Sequence, residues 1–480
     1  MYIIGIEPAL PKPHYLSNLH LIRVGLPSLL TDLRNKGHKV KLFMEEVRDI
    51  DEGELRKEAK KADLIAISTL SGTYPRGLDL AKIVKEETDS PVVMGGPHVS
   101  LAENRQEALF NGVDYLVRFE GETALPKLVK AIEKKKGLEE VENLVYLENG
   151  VIRENPVSRQ TINLDNHPFP DFSLIEGWRN TYTLPIETSR GCPYRCTFCC
   201  VHKMFPKMRF RNPESVVEEI KRVEPRSVFF VDDNFAIDME RSKKILSLML
   251  QKLDKIPRWG AQVRASVAGD EEWLRLAKRT RCQFLCIGFE SVNADSLKEM
   301  YKGQALQEVE KYISLFKKKR MLSAVHGSFI SGFDSDDKLT ALKTADWARK
   351  QGVRSIQIWV LTPLPGTELR ENLKKQDRLL NLDPRDYDGT RVTFRPAKMS
   401  ALELQKSVFE GMKRFYSLKN RLLAILKGIA GVVRDYALDV SETKELWREN
   451  FKETVVKWYG QKIVKSIEKR TREYLKRIKI

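Results

Sequence analysis

The chain has 480 residues, of which 42% are hydrophobic and 31% are charged. This length and composition predict two or three domains with complete hydrophobic cores, and they exclude a disordered or fibrous protein. Six cysteines in 480 residues exclude a small disulfide-stabilised scaffold, and we expect a reducing, cytoplasmic environment.

The net charge of +17 is concentrated near the carboxyl end, where residues 401–480 carry 19 Lys and Arg against 10 Asp and Glu. A basic surface of this kind suits contact with nucleic acid, contact with an anionic membrane, or solubility alone. No signal peptide is predicted, because the apolar start runs directly into Glu7 and Pro8. No membrane-spanning segment is predicted, since the apolar stretch 422–433 is short and contains Lys427.

Short apolar runs alternate with helical patterns over residues 1–150, which we assign to a first domain. Strands are predicted at Tyr2–Ile6, His38–Phe43, Asp63–Ser68, Pro91–Gly95 and Asp114–Phe119. Helices are predicted at Pro27–Lys36, Glu52–Lys61, Arg76–Glu87, Leu101–Phe110 and Glu122–Lys135. This alternation indicates an α/β fold with a doubly wound, Rossmann-like parallel sheet, whose ligands bind at the carboxyl ends of the strands.

Small and polar residues follow three of these strands. Ser68–Gly72 follows the third strand, Gly95–His98 follows the fourth, and Glu120–Glu122 follows the fifth. Glycine pairs let a ligand approach the backbone closely, and a helix that begins beside them can receive a phosphate. A turn without any ligand is the simpler interpretation of the two glycines at 95 and 96.

A second βα series follows a connecting segment. A β-hairpin is predicted at Asn143–Glu154, turning at Asn149 and Gly150, and a proline-rich linker follows, so we assign residues 151–181 to the connection. Within residues 182–365, strands are predicted at Thr183–Thr188, Ser227–Val231, Trp259–Ala265, Phe284–Phe289, Ala324–Ile330 and Ser355–Leu361. Six βα units are too few for a closed eight-unit barrel, so we expect an open barrel.

The loop after the first strand of this series contains four of the six cysteines. Cys192, Cys196 and Cys199 follow a CxxxCxxC spacing. Three thiolates from one loop can each bind one iron of a cubane cluster, which leaves the fourth iron open to a small molecule. Zinc and buried free thiols are the alternatives. A zinc ion would need a fourth ligand, and only His202 or the off-spaced Cys200 lies nearby.

Polar residues also follow the later strands of this series. They are Asp232, Asp233, Arg264, Glu290 and Gly332. The barrel topology would bring them to the same mouth as the cysteine loop. Each acid has a simpler role as a cap of the next helix, and Arg264 suits a surface salt bridge as well as a ligand carboxylate. Cys282 and Cys286 lie four residues apart on one strand, and we assign them to the core.

The remaining residues, 366–480, are predicted to be mainly helical. Trp447, Phe451, Val455, Tyr459, Ile463 and Ile467 recur at four-residue intervals, with Lys and Arg between them. This pattern predicts an amphipathic basic helix. Such a helix packs on the rest of the protein or lies on a membrane surface, and both interpretations stay open.

The cysteine loop and its flanks, TSRGCPYRCTFC, resemble the signature of the radical S-adenosylmethionine (SAM) enzymes. The resemblance implies a 4Fe–4S cluster on the three cysteines, with the amine and carboxylate of SAM on the fourth iron. It also implies Phe198 beside the cluster, Asp232 and Asp233 near the SAM amino group, Glu290 near the ribose, and Gly332 along the adenine. The segment 391–422 resembles the helical extension of the cyclase-like and lipid-modifying members.

The first domain resembles the cobalamin-binding domain that is fused to one large branch of these enzymes. The similar stretches are Ala66–Gly72, Val92–Ser100 and Val113–Lys130. The resemblance implies cobalamin near Ser68, Thr69, Gly95 and Gly96, and the same stretches contain Pro97, His98, Gly121 and Glu122. The DxHxxG motif, whose histidine ligates cobalt in other cobalamin domains, is missing, so no lower ligand of cobalt is predicted. We expect His98 to form hydrogen bonds within its loop.

The resemblance implies an enzyme in which a 5′-deoxyadenosyl radical activates an unreactive carbon and methylcobalamin supplies a methyl group. A cyclase or another carbon–carbon bond-forming enzyme, acting on a lipid or tetrapyrrole, is the first alternative. An RNA-modifying enzyme and a simple electron carrier are further ones. A methylthiotransferase is disfavoured, because no cysteine precedes Cys192 to form its second cluster. Expected partners are a small-molecule or lipid substrate, an external electron donor and a peripherally contacted membrane, but not nucleic acid.

Overall fold

The computed structural model describes residues 1–10, 22–158, 161–380 and 383–417. All five strands predicted for the first domain are present, at Tyr2–Glu7 (β1), Lys39–Met44 (β2), Leu64–Ser68 (β3), Val92–Gly95 (β4) and Tyr115–Val117 (β5). They form a parallel sheet in the order β2-β1-β3-β4-β5. Ile3 and Ile4 are both fully buried although they point to opposite faces, because helices cover the sheet on both sides.

The predicted hairpin is confirmed and extends this sheet. Its strands, Leu144–Glu148 (β6) and Val151–Glu154 (β7), are antiparallel, and β6 pairs with β5. The turn residues Asn149 and Gly150 have φ of 51° and 77°. Positive φ at both central residues is what a two-residue hairpin turn requires, and Asn-Gly is the sequence that adopts it most readily.

In the described part of the first domain, five α-helices accompany the sheet, at Gly25–Asn35 (α1), Glu52–Ala59 (α2), Tyr74–Lys85 (α3), Pro97–Leu101 (α4) and Gly121–Lys134 (α5). The helix predicted at Leu101–Phe110 is wrong. Pro97 begins α4 directly after Gly96, and Ala102 ends it by adopting an extended conformation with ψ of 140°. Only a 3-10 helix at Arg105–Phe110 occupies the rest of the predicted span.

The second sheet belongs to the later βα series. The strands after β7 lie at Leu184–Ile186 (β8), Ser189–Arg190 (β9), Arg209–Phe210 (β10), Ser227–Phe230 (β11), Arg258–Val263 (β12), Cys282–Glu290 (β13), Val325–Ser331 (β14) and Ser355–Val360 (β15). Six of them form a parallel sheet in the order β15-β14-β13-β12-β11-β8, while β9 and β10 form a separate antiparallel pair. Within the described residues, β8 and β15 do not pair with each other. The open six-unit α/β arrangement expected from the sequence is therefore confirmed.

Helices cover the outer face of this sheet. The helices after α5 lie at Val201–Met204 (α6), Pro213–Val223 (α7), Met239–Lys252 (α8), Glu271–Arg279 (α9), Ala294–Glu299 (α10), Leu306–Lys318 (α11), Thr340–Lys350 (α12), Glu368–Lys375 (α13) and Ala401–Phe415 (α14). On β13, Leu285, Ile287 and Phe289 are buried beneath the helices, so Cys286 and Glu290 face the inner side. Cys286 is half-buried, and burial raises the pKa of its thiol to about 12.

The last described helix, α14, seals the β15 edge of the sheet. Ser400 and Glu403 begin it with a reciprocal capping box, in which the Glu403 amide donates to Ser400 Oγ at 3.2 Å. The basic amphipathic helix predicted around 447–467 lies outside the described residues. No helix in the described part of the chain combines the length and the apolarity needed to cross a bilayer.

Tyr416, just after α14, satisfies both backbone groups of Ile356 in the edge strand β15. The Ile356 amide donates to the Tyr416 hydroxyl at 3.0 Å, and that hydroxyl donates to the Ile356 carbonyl at 2.8 Å. Tyr416→Phe would leave two buried backbone groups unpaired, so we expect a loss of about 1–3 kcal/mol in the free energy of unfolding. Chemical denaturation measures this loss. The control Tyr301→Phe alters a side chain that is 71% exposed and should change nothing; equal stability of the two variants would contradict the assignment.

Candidate active site

The carboxyl ends of the two sheets face each other across a cavity of about 770 Å³. Ser68, Gly95 and Gly121 reach it from the first sheet, while Asp233 and Gln262 reach it from the second. Ligands of parallel α/β folds bind at these strand ends. One cavity is therefore lined by residues at the carboxyl ends of the strands of both βα series.

The predicted residues of the first domain divide into those that line this cavity and those that do not. The lining residues among them are Ser68, Gly95, Gly96, Pro97, Gly121 and Glu122. Thr69 is fully buried and instead joins two loops, because its amide donates to the Gly95 carbonyl at 3.0 Å and its carbonyl accepts from the His98 amide at 3.3 Å. His98 does not line the cavity, and its Nδ1 lies 3.2 Å from Ser71 Oγ.

Gly96 is required where these loops meet. Its φ is +97°, and a Cβ at this position would lie 2.5 Å from the Thr69 carbonyl oxygen. Any other residue would therefore separate the two loops that line the cavity. The sequence alone left the role of this glycine open between a turn and a ligand approach, and the structure shows that the turn itself shapes the cavity.

One arm of the cavity is apolar. Val93 and Val117 line it from the first sheet, and Leu26 and Leu125 line it from α1 and α5. Hydrogen-bonding groups lie near the strand ends, including the backbone of Gly95 and Gly96. The cavity therefore suits a large ligand with an apolar portion inserted between sheet and helices and a polar portion beside the strand ends of the first sheet.

The three cysteines predicted as cluster ligands are all half-buried in the loop after β9. Burial raises the pKa of all three thiols, that of Cys199 to about 12, and both Cys192 and Cys199 lie close enough to Cys196 for their charges to interact. Within the described residues, no three His, Cys, Asp or Glu side chains converge closely enough to hold one metal ion. In a cubane cluster each of three irons takes one thiolate, which is the ligand pattern that the spacing of this loop predicts.

The two aspartates after β11 have different surroundings. Asp232 is buried and holds the start of the cysteine loop, accepting hydrogen bonds from the Thr188 amide at 3.0 Å and Ser189 Oγ at 2.7 Å. Asp233 lines the cavity. Burial, with the charges of Asp232 and Glu187, raises the pKa of Asp233 to about 6. Of the predicted pair, Asp233 is therefore the carboxylate available to a cationic group in the cavity, and Asp232 positions the loop.

Arg190, two residues before Cys192, links the cysteine loop to the first domain. Its Nη1 donates to Glu120 and to Glu122 at 2.6 Å each, and its Nη2 donates to Glu187 at 2.9 Å. All four side chains line the cavity. Burial alone would raise the pKa of Glu122, but Arg190 outweighs it and holds that pKa below its ordinary value. The sequence analysis placed Glu122 near a cofactor and did not predict this ion-pair network.

A second buried ion pair lies beside the cysteines. Lys302 donates to the Glu290 carboxylate and, at 2.8 Å, to the Gly288 carbonyl. Glu290 follows a β-bulge and has a φ of 62°, which turns it out of the strand. Burial raises the pKa of Cys196, and the positive charge of Lys302 opposes this rise. No sequence pattern singled out Lys302, because its contact with Glu290 depends on how the chain folds back after α10.

The other predicted residues of the second domain make contacts within the protein. Arg264 donates to the Lys302 carbonyl at 3.0 Å and lies over the Tyr194 ring at 4.2 Å. Phe198 packs edge-on against Phe333. The Gly332 amide donates to Asp336 at 2.8 Å, and a Cβ at Gly332 would lie 2.8 Å from Leu404. Contacts of Arg264, Phe198, Glu290 and Gly332 with a cofactor stay predictions.

Two family models match the chain. The radical SAM superfamily model matches residues 186–348, and the B12 binding domain model matches residues 18–129. The first match contains the cysteine loop and four strands of the second sheet, β11 to β14. The second match contains β2 to β5 and the loops with which the first domain lines the cavity.

Curated relatives include methyltransferases and a cyclase. The chain is 31% identical to bacteriochlorophyllide d C-12(1)-methyltransferase of Chlorobaculum tepidum, over 51% of this chain and 57% of that protein. It is 27% identical to an uncharacterized methyltransferase of Pyrococcus horikoshii, over 86% of this chain and 94% of that protein. It is 25% identical to the anaerobic magnesium-protoporphyrin IX monomethyl ester cyclase of Cereibacter sphaeroides, over 74% of this chain and 60% of that protein.

The same fold occurs in a solved structure of the cobalamin-dependent S-adenosylmethionine radical enzyme OxsB with aqua-cobalamin and S-adenosylmethionine bound. The TM-score is 0.67 at 16% identity, and the match covers 95% of this chain and 72% of that chain. At this identity the likeness shows the fold alone. This structural comparison does not depend on the family models, and it shows that the two sheets occur together in a known fold.

The network around Arg190 predicts a pH-dependent stability difference. Arg190→Met removes the cation from a buried carboxylate cluster, so we expect the ligand-free protein to lose about 3–5 kcal/mol at neutral pH. The lowered pKa of Glu122 means that the wild-type pair stabilises the fold at neutral pH and loses this effect as pH falls through that pKa. In the variant, Glu122 is buried without its cation and takes up a proton at higher pH, so the difference between the two proteins should shrink toward pH 5.

Thermal unfolding of both ligand-free proteins across this pH range measures the difference. The control Arg153→Met removes a half-exposed arginine that pairs with Glu148, and it should change stability little at any pH. A constant difference for Arg190→Met between neutral and acidic pH would contradict the assignment.

Proposed function

We infer the function of this chain from its family: it belongs to the radical SAM superfamily, and it carries a B12-binding domain. Its cofactors are a 4Fe–4S cluster, SAM and cobalamin, and it is an enzyme. We propose that it methylates an unactivated carbon of a small apolar molecule. The observation that supports this most directly is the cavity of about 770 Å³, which is lined by loops of the B12-binding domain and by Arg190 and Met204 on either side of the cysteine loop.

When bound, the cluster, SAM and cobalamin supply a carbon-centred radical and a methyl group inside one enclosed site. The chain's own part is to hold and orient these groups. Cys192, Cys196 and Cys199 offer one thiolate to each of three irons, and Asp233 offers its carboxylate to the amino group of SAM. Arg190 keeps the cysteine loop beside the B12-binding domain, so that the groups meet across a fixed gap.

Apolar side chains enclose the part of the cavity nearest the cysteine loop. They are Met204 and Phe205 after the loop, and Phe229 and Val231 on and after β11. Such a wall excludes water from a reactive radical and favours an apolar substrate. The tetrapyrrole named for the methyltransferase relative of Chlorobaculum tepidum belongs to this chemical class, and a lipid is a second member of it. We therefore propose an apolar molecule, such as a tetrapyrrole or a lipid, as the substrate class.

Ring closure without methyl transfer is the second candidate function. It is favoured by the relative named as a magnesium-protoporphyrin IX monomethyl ester cyclase, which aligns over 74% of this chain.

We further propose a domain division at residues 1–150, 151–181, 182–365 and 366–480. We also propose a cytoplasmic location, an external electron donor, and peripheral membrane contact through the basic carboxyl-terminal segment. An RNA-modifying enzyme stays an untested alternative, for which RNA binding should fall steeply with added salt.

The cysteine assignment predicts a sharp contrast between two adjacent residues. Cys199→Ala removes one iron ligand, so the anaerobically reconstituted variant should lose its brown colour and its cleavage of SAM. Cys200→Ala changes the neighbouring thiol, which has the wrong spacing, and it should retain both properties. Iron analysis, the visible spectrum and 5′-deoxyadenosine formation measure this contrast. A Cys199→Ala protein with full iron content and SAM cleavage would contradict the proposal.

The reaction class predicts the fate of the SAM methyl group. With SAM deuterated in its methyl group, products formed from tetrapyrrole or polycyclic lipid extracts should gain one intact deuterated methyl. A cyclase would instead give a product that has lost hydrogen and carries no label. Mass spectrometry of the products separates the two reactions, and the Cys199→Ala protein provides the blank. Unlabelled, hydrogen-depleted products would overturn methylation and support ring closure.

A further inference from the structure

The inner face of the second sheet keeps accessible surface below the strand ends that hold the candidate site. The outward-facing residues of β13 are buried beneath helices, whereas Phe284 on the same strand is 38% exposed. Inward-facing residues of the two neighbouring strands also retain exposure, and they are Gln262 on β12 and His326, Ser328 and Ile330 on β14. Closed barrels fill this space with side chains. The open sheet of this protein therefore has a lumen that continues from its carboxyl edge toward its amino end.

Three aromatic rings lie in a row across this inner face. Phe229 on β11 lines the central cavity, and its ring centroid lies 6.4 Å from that of Phe284 on β13. The Phe284 ring is stacked on His326 of β14, with centroids 5.2 Å apart and planes inclined by 30°. His326 Nδ1 lies 2.9 Å from Ser355 Oγ, which orients the imidazole. We call Phe229, Phe284 and His326 the aromatic row.

Gly260 on β12 keeps the first two rings continuous. It pairs with Phe229 on one side and with Phe284 on the other. A Cβ at this position would lie 3.4 Å from Phe229 Cδ2 and 3.0 Å from Phe284 Cβ, and only 2.9 Å from the Phe284 carbonyl oxygen. Any side chain here would therefore separate the two rings, whereas glycine lets them form one surface across three strands.

The aromatic row lies away from the residues proposed to hold SAM. Phe284 precedes Glu290 by six residues along β13, which corresponds to roughly 20 Å at the rise of a strand. Phe229 precedes Asp233 by four residues, which corresponds to at most roughly 13 Å. A molecule that rests on the row and reaches a radical formed at the carboxyl edge must therefore have an extended body.

The row distinguishes flat conjugated molecules from saturated ones. Burial lowers the pKa of His326 to about 4, so all three rings are uncharged at pH 7. Any apolar molecule gains from burial against them. Only a conjugated ring system also gains from offset-stacked or edge-to-face contact with the rings. The row therefore favours the flat members of the apolar class proposed above.

We propose that the aromatic row binds the flat, π-conjugated ring system of the substrate and holds one edge of it toward the central cavity. This inference rests on the proposed function, and it narrows the substrate class to planar ring systems such as a tetrapyrrole, in preference to saturated polycyclic lipids. Phe284 makes the central contact, because it has another ring of the row on each side.

Binding without turnover tests the row separately from the reaction. The full chain, reconstituted anaerobically with cluster and cobalamin, is given saturating SAM but no reductant. Deuteroporphyrin IX is the planar probe and lithocholate is the saturated polycyclic probe, and ultrafiltration with mass spectrometry measures the free concentration of each. We expect the porphyrin to bind more tightly than lithocholate, and equal or weaker binding of the porphyrin would overturn the proposal. Because no methyl group is transferred, this result is independent of the outcome of the isotope experiment.

Two variants of Phe284 separate the ring from its apolar volume. Phe284→Leu should weaken porphyrin binding roughly two- to tenfold, as expected for loss of one aromatic contact, and should change lithocholate binding less than about twofold. Phe284→Tyr keeps the ring and should retain porphyrin binding. The control Phe110→Leu alters a side chain of the first domain that is 67% exposed, and it should change neither. Equal effects of Phe284→Leu and Phe110→Leu, or equal loss of both probes in Phe284→Leu, would overturn the role of the row.

The SAM affinity of the Phe284→Leu protein tests the other flat ring that could occupy this face, the adenine of SAM. The row lies roughly 20 Å along the strand from Glu290, so SAM binding should be unchanged. Equilibrium dialysis with labelled SAM measures it. A loss of SAM affinity as large as the loss of porphyrin affinity would assign the row to the adenine and overturn the proposal.

Discussion

The buried guanidinium of Arg190 is the interaction on which the central site depends. It is 11% exposed and contacts carboxylates from both domains, Glu120 and Glu122 on one side and Glu187 on the other. Taking such charges out of water is unfavourable, and their mutual attraction offsets this only when the geometry is good. The network is therefore best understood as a device that fixes position, and what it positions is the cysteine loop two residues away.

The remainder of the site follows from joining two parallel sheets at their carboxyl ends. Each sheet would present its loops to solvent if it stood alone, but together they enclose one cavity lined by both. Within it, Asp232 and Asp233 divide their tasks because one points back to the loop backbone and the other into the cavity. Lys302 and Glu290 form a corresponding buried pair beside Cys196. Asp232, Arg190 and Lys302 thus position the surroundings of the cysteine loop.

Much of this arrangement could be predicted from local sequence. The cysteine spacing lies within eight residues, and strands β1 to β5 follow from apolar runs of the right length, so neither depends on distant contacts. The roles of Thr69, His98, Arg190 and Lys302 do depend on them. Arg190 meets Glu120 and Glu122 across about 70 positions of chain, and whether Thr69 faces a cavity or a neighbouring loop depends on how β3 and β4 pair. The failed prediction of a helix at Leu101–Phe110 has a local cause. The helix begins at Pro97, four residues before the predicted start, and it ends at Ala102.

The central claim is that one cavity holds cobalamin and the SAM-bound cluster on opposite walls. An anaerobic crystal structure of the reconstituted protein with both cofactors bound tests this most directly. The account predicts that cobalamin lies against Ser68, Gly95 and Gly96, that Cys192, Cys196 and Cys199 are the only protein ligands of the cluster, and that SAM occupies the fourth iron. A fourth side chain on the cluster, or cobalamin bound outside this cavity, would contradict it.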